Sequence, residues 1–203
     1  MSCGRAAMNG GLCAAAFCGK IDVVRALVSA GADVNWQRSD GSSPLSTARH
    51  EEHIDCVELL IERGAEVETR NNEGATPLYW AARNGHIEVV QFLIEQRANV
   101  NACCTDGESC LWTTAVNGHT AVMRALVSAG ADVNLQCNDG YSPLIVASEK
   151  GHTDMVVMLL DSGADTEMRD NAGRTALWHA TAFGCTAVID ALISRGADVD
   201  AAD

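Results

Sequence analysis

The sequence has no apolar run of about 18 residues, the length a helix needs to cross a bilayer, and this excludes a helical membrane span. It is also short of positive charge, with 14 Lys and Arg against 27 Asp and Glu and a formal charge of −13. With no span to insert and a charge balance that repels phosphate backbones and disfavours anionic bilayer surfaces, no membrane insertion and no nucleic acid are expected. The nine cysteines form no C-x-x-C pair, have no zinc-finger histidine spacing beside them and are odd in number, so they make no disulfide framework. No Asn-x-Ser/Thr site occurs, in agreement with a cytoplasmic or nuclear address.

What is present is a beat of 33 residues. Leucine recurs at Leu12, Leu45, Leu78, Leu111, Leu144 and Leu177. Gly41, Gly74, Gly107, Gly140 and Gly173 lie four residues before their leucines, and Gly31, Gly64, Gly130, Gly163 and Gly196 lie nineteen after. A spacing this regular predicts a solenoid in which each repeat touches only its neighbours. The repeats run near 5–37, 38–70, 71–103, 104–136, 137–169 and 170–203, counted here as one domain over 1–203.

Within a period, Ser43, Thr76, Ser109, Ser142 and Thr175 can cap a first helix, and Pro44, Pro77 and Pro143 sit in its first turn, where no amide donor is needed. A second helix follows with apolar residues at helical spacing, as in Val156, Val157, Leu159 and Leu160, and it must bury that stripe against a neighbour. Glycines such as Gly64 and Gly130 suit the left-handed position that stops a helix. Arg97 takes that place in the third repeat, which predicts a non-glycine residue at positive φ. Glu52 replaces the glycine that ends the first helix elsewhere, and the first repeat lacks its turn glycine and Thr-Pro pair. The hairpin before Leu12 is therefore expected to be absent or frayed.

Thr76-Pro77-Leu78-Tyr79-Trp80-Ala81-Ala82, followed by Gly85-His86, resembles the ankyrin repeat, and the closing Gly-Ala-Asp-Val-Asn of Gly31 to Asn35 and Gly130 to Asn134 strengthens the likeness. The resemblance covers nearly the whole chain. It implies an all-α solenoid of helix-turn-helix units joined by β-hairpin-like turns, and a non-catalytic binding surface with no cofactor. It also implies that the partner is another protein and where it docks, in a groove of hairpin tips and first helices.

Carried onto this chain, the expected contact residues are Trp36, Asp40, Ser42, Glu73, Arg83, Asp106, Glu108, Val116, Asn117, Asp139, Tyr141 and Arg174. Asp40, Glu73, Asp106 and Asp139 precede the turn glycines; they read either as ordinary turn formers or as an acidic stripe for a basic or amphipathic partner. The pairs at the ends of the first helices, His50 and Glu51, Arg83 and Asn84, Val116 and Asn117, Glu149 and Lys150, Ala182 and Phe183, vary between copies in the same way. Tyr79, Trp80, Trp112 and Trp178 fall on first helices and read as core packing, whereas Trp36 is the tryptophan expected to meet a ligand. The resemblance further implies asparaginyl hydroxylation at Asn35 and Asn134, each eight residues after a leucine.

His53, His86, His119 and His152 keep the repeat spacing, so each should do the same structural job, a hydrogen bond between first-helix end and neighbouring loop. His50 and His179 stand outside that ladder, and neither has an in-register serine or cysteine to form a nucleophile and base pair. The alternative to an interaction module (scaffold, adaptor or inhibitor) is a thiol-based redox or metal-responsive protein using Cys103, Cys104, Cys110 and Cys137. Apolar helices at both ends, with Asp203 standing where a seventh hairpin would begin, predict a segment of a longer array or ends covered by self-association or a partner.

Overall fold

The capping chemistry is realised in every repeat that carries it. In the computed structural model, which describes residues 2–48 and 53–199, Ser43, Thr76, Ser109, Ser142 and Thr175 adopt extended backbone. Their hydroxyls accept the amides of Ser46, Tyr79, Trp112, Ile145 and Trp178 at 3.2, 3.2, 3.1, 3.3 and 3.3 Å. Each such cap stabilises its helix by about 1 kcal/mol. The expectations placed on His50, Glu51, Glu52 and Asp203 lie outside the described residues.

Twelve helices form among the described residues, in two compact units, Met1–Asn99 and Val100–Asp203. The first unit holds α1 (Ser2–Phe17), α2 (Ile21–Ser29), α3 (Pro44–Thr47), α4 (Ile54–Glu62), α5 (Pro77–Asn84) and α6 (Ile87–Glu95). There α1 packs on α2 and α3, α3 on α5, and α2, α4 and α6 follow one another as a second row. The second unit repeats the plan with α7 (Cys110–Asn117), α8 (Thr120–Ser128), α9 (Pro143–Glu149), α10 (Thr153–Asp161), α11 (Ala176–Ala182) and α12 (Thr186–Ser194). In the first repeat the hairpin is indeed missing: α1 runs as one 16-residue helix through Gly10 and Gly11. The irregular second repeat has the shortest helix, the four residues of α3.

The leucines of the 33-residue beat form the core. Leu12, Leu78, Leu111 and Leu144 are at most 1% exposed and Leu45 is 3% exposed, whereas Leu177 is only half-buried. Beyond it Phe183, Ile193 and Val199 remain 61%, 46% and 58% exposed.

No strand forms among the described residues, and one isolated bridge, Cys103 with Ser109, is all that remains of the expected hairpins. The tips are joined instead by asparagines. Asn72 donates its amide to the Asp40 carbonyl (3.0 Å) and its side chain to the Ser39 carbonyl (2.9 Å). Asn138 does the same to Asp106 (2.9 Å) and Thr105 (3.1 Å), and Asn171 to Asp139 (3.0 Å) and Asn138 (2.9 Å). A second ladder runs beneath it, in which Asn35, Glu68, Asn101, Asn134 and Glu167 each accept the amide of the residue 31 positions later, at 2.8 to 3.0 Å.

Arg97 has φ 64, and among the described residues it is the one non-glycine with positive φ. A methyl on the matching Gly64, Gly130 or Gly163 meets nothing within 4 Å, so an arginine fits and its cost lies in the backbone. Arg97→Gly is expected to raise the unfolding free energy by about 0.5 to 1 kcal/mol in urea melts, the relief of one left-handed L-residue. An unchanged or lower midpoint would show that the flexibility of glycine in the unfolded chain cancels that relief.

Candidate functional site

The turn carboxylates and first-helix ends of the second unit enclose a groove of about 410 Å³. Asp106, Glu108, Val116, Asp139 and Tyr141, five of the expected contact residues, line it together. Trp112, Cys137, Val146, Glu149 and Lys150 complete the wall. Tip residues enter because the asparagine ladder stacks Asp106 and Asp139 in register, and Trp112 and Val116 enter because they lie on one face of α7, four residues apart. Four carboxylates thus face one ammonium, that of Lys150, which is itself paired with Glu149 at 3.0 Å.

One wall of the groove rests on a buried polar network that the sequence did not announce. Asp170 and His179 are 5% and 1% exposed, and His179 Nε2 lies 2.9 Å from Asp170 Oδ2. Arg174 donates through Nε (2.8 Å) and Nη2 (2.7 Å) to the same carboxylate, and through Nη2 to the Tyr141 hydroxyl at 3.2 Å. The other oxygen, Oδ1, accepts the amides of Ala172 and Arg174, both at 2.9 Å. Burial on its own would raise the Asp170 carboxyl, but the bonds from Arg174, His179 and the Ala172 amide override it and hold the pKa at about 2. Burial pushes the Tyr141 phenol up, so it stays protonated at neutral pH. The His179 ring lies 5.2 Å from Tyr141, and its Nδ1 lies 3.6 Å from Glu149 Oε2, on the groove wall.

The remaining expected contacts fall elsewhere. Arg174 is committed to Asp170 and Tyr141, and Asn117 turns its side chain back to the Thr113 carbonyl at 2.7 Å. In the first unit a groove of about 430 Å³ gathers Asp40, Ser42 and Glu73 with Phe17, Arg38, Thr47, Asn71, Asn72 and Trp80. A bond from the Ser42 amide (2.9 Å) holds the Asp40 carboxyl below its ordinary range. Arg83 lies over Trp80, 5.3 Å from the ring centroid, while Trp36 is half-buried and lines neither groove.

The aromatic side chains and the cysteines depart from expectation, and the histidines add a packing role. Of the first-helix aromatics only Tyr79 is core, at 3% exposure; Trp80 and Trp112 line grooves and Trp178 is 38% exposed. The repeated histidines begin the second helices without capping them through the side chain. His152 packs on Gly118, where a methyl would stand 3.1 Å from its ring, and His53 covers Gly19 in the same way. The cysteines do not converge: Cys103 donates to the Asn101 carbonyl (3.4 Å), Cys104 faces Glu108 (3.9 Å) and Cys110 the Ala102 carbonyl (3.7 Å). Among the described residues no three His, Cys, Asp or Glu side chains are grouped to hold a metal. The side chains of Asn35 and Asn134 are both tied to the following repeat, donating to the Gly64 and Gly163 carbonyls at 3.0 and 3.4 Å.

Two rows of helices packed in repeating pairs define a helical repeat protein. A family model described as ankyrin repeats (3 copies) matches residues 12–103 and again 111–203, and the chain belongs to the ankyrin-repeat family. It is similar to the crystal structure of the ankyrin repeat protein EF0377, with 27% identity and a TM-score of 0.83 over 91% of this chain and 97% of that one. It is equally similar to an ankyrin repeat domain, ABAYE2397, from Acinetobacter baumannii AYE, with 27% identity and a TM-score of 0.84 over 92% and 98%. No curated protein matches the chain. Ankyrin repeats are protein-interaction modules, and their fold serves typically as a non-catalytic scaffold.

Proposed function

We propose that this chain is a non-catalytic scaffold, adaptor or inhibitor that grips a basic or amphipathic segment of another protein in the groove of its second unit. The observation that carries this reading is the excess of carboxylates, Asp106, Glu108, Asp139 and Glu149 against Lys150, around a space walled by Trp112 and Tyr141. Acid and aromatic surface together suit a cationic side chain with an apolar stem. A cytoplasmic or nuclear setting is supported by the thiols of Cys13, Cys18, Cys56, Cys104, Cys137 and Cys185, which form no disulfide.

The test is selection of a random displayed peptide library on the intact chain, with the double variant Asp106→Lys, Asp139→Lys as comparison. Selected sequences are expected to be enriched in Arg and Lys, to bind about tenfold more weakly when salt rises from low to about 0.5 M, and to lose the variant. Enrichment in acidic or uncharged sequences, or binding indifferent to salt, would overturn the reading.

A further inference from the structure

The last repeat shows how this fold holds an arginine. The Arg174 guanidinium lies 4.8 Å from the Trp178 ring centroid, is forked onto Asp170 and bonds the Tyr141 hydroxyl. In the first unit Arg83 covers Trp80 in a similar manner. Trp112 occupies the position in its repeat that Trp178 occupies two repeats later, but the place matching Arg174 is held by Glu108. No cation lies over Trp112 among the described residues. Around it stand Asp106, Glu108, Asp139 and Glu149, with Tyr141 opposite and about 410 Å³ of open groove. His179, 1% exposed, also turns toward this wall an Nδ1 that has no hydrogen-bond partner and lies 3.6 Å from Glu149. The charge at position 108 is reversed relative to 174, so the fold does not place at Trp112 the arginine that it places at Trp178.

Resting on the acidic-groove reading above, we infer that Trp112 with Asp106, Glu108 and Asp139 is a subsite for one arginine side chain of a bound peptide segment. Arginine is favoured over lysine by the chemistry of the wall. A planar guanidinium stacks on an indole and presents a fork of donors to more than one carboxylate, whereas an ammonium is a compact, strongly hydrated point charge.

The experiment uses capped peptides identical except at one central residue, Arg, Lys, citrulline or Ala, taken from the basic sequences selected on the intact chain. They are titrated against the 203-residue protein while the indole N–H resonance of Trp112 is followed. The Arg peptide is expected to bind about tenfold more tightly than the citrulline and Ala peptides, and several-fold more tightly than Lys, with a saturable shift of that resonance. The decisive variant is Glu108→Arg with Cys104→Asp, which rebuilds inside the second unit the arrangement of Arg174 and Asp170. It should keep the fold and its thermal midpoint and lose about tenfold in affinity for the Arg peptide. Lys or citrulline peptides binding as tightly as Arg, or full affinity in the double variant, would overturn the arginine subsite and leave the acidic groove standing. Failure of the acidic-groove reading is recognised separately, by a library selection that returns no basic sequences.

Discussion

Asp170→Ala is expected to destabilise the second unit by about 3 kcal/mol in urea melts, the scale of leaving buried polar partners without their counter-charge. The substitution strips His179 and Arg174 of a carboxylate that both touch, and removes the acceptor of the Ala172 and Arg174 amides. Asp170→Asn keeps an oxygen for those amides and should lose less. The pH dependence has a definite sign. The folded carboxyl is held at about 2, below the roughly 3.9 of an unfolded chain, so its contribution is fully present above about pH 4 and disappears as pH falls toward 2. That contribution is on the order of 2 kcal/mol for a carboxylate this well covered. Wild type should therefore lose stability through this window more steeply than Asp170→Ala. Parallel curves, or a loss under about 1 kcal/mol at neutral pH, would mean that the network shapes the groove wall without holding the unit together.

The framework was legible in the sequence because each part of it depends on neighbours along the chain. A hydroxyl three residues before an amide makes a cap, a glycine after an apolar stripe ends a helix, and Arg97 in such a place has positive φ whatever packs around it. The acidic wall was legible for a related reason. A period of 33 brings Asp106 and Asp139 onto one edge once the repeats stack.

The Asp170 network was not read, because it joins residues at different places in the period through the rotamers of an arginine and a histidine. A signal for it exists all the same. Asp170 stands where Arg38, Asn71, Cys104 and Cys137 stand, and His179 where Thr47, Trp80, Thr113 and Val146 stand, so an acid and a histidine come together at these two places in the last repeat alone. Reading the tryptophans as core failed on exposure: an indole can stay on a first helix, partly open, when a cation or a groove takes its outer face. The histidine ladder also has a packing role that its polarity does not suggest, since the flat ring fits over a glycine, as His152 does on Gly118.

Gly140→Ala should cost on the order of 3 kcal/mol and weaken the groove, while Gly163→Ala should cost only about 1 kcal/mol. The backbones are similarly left-handed, φ 80 and φ 87, so conformational strain alone predicts equal losses. What differs is the space. A methyl at Gly140 would stand 2.7 Å from the backbone nitrogen of Asn171, the donor to the Asp139 carbonyl, whereas one at Gly163 meets nothing within 4 Å. The clash cannot be relieved by turning a side chain, since the opposing atom is backbone, so the two tips must separate and lose the bond that sets Asp139 and Tyr141 in the groove. Gly140→Ala should therefore lower both the urea midpoint and the affinity for basic peptides, and Gly163→Ala should lower the midpoint alone. Equal losses in the two variants would mean that tip spacing contributes nothing, and that positive φ explains every glycine in the array.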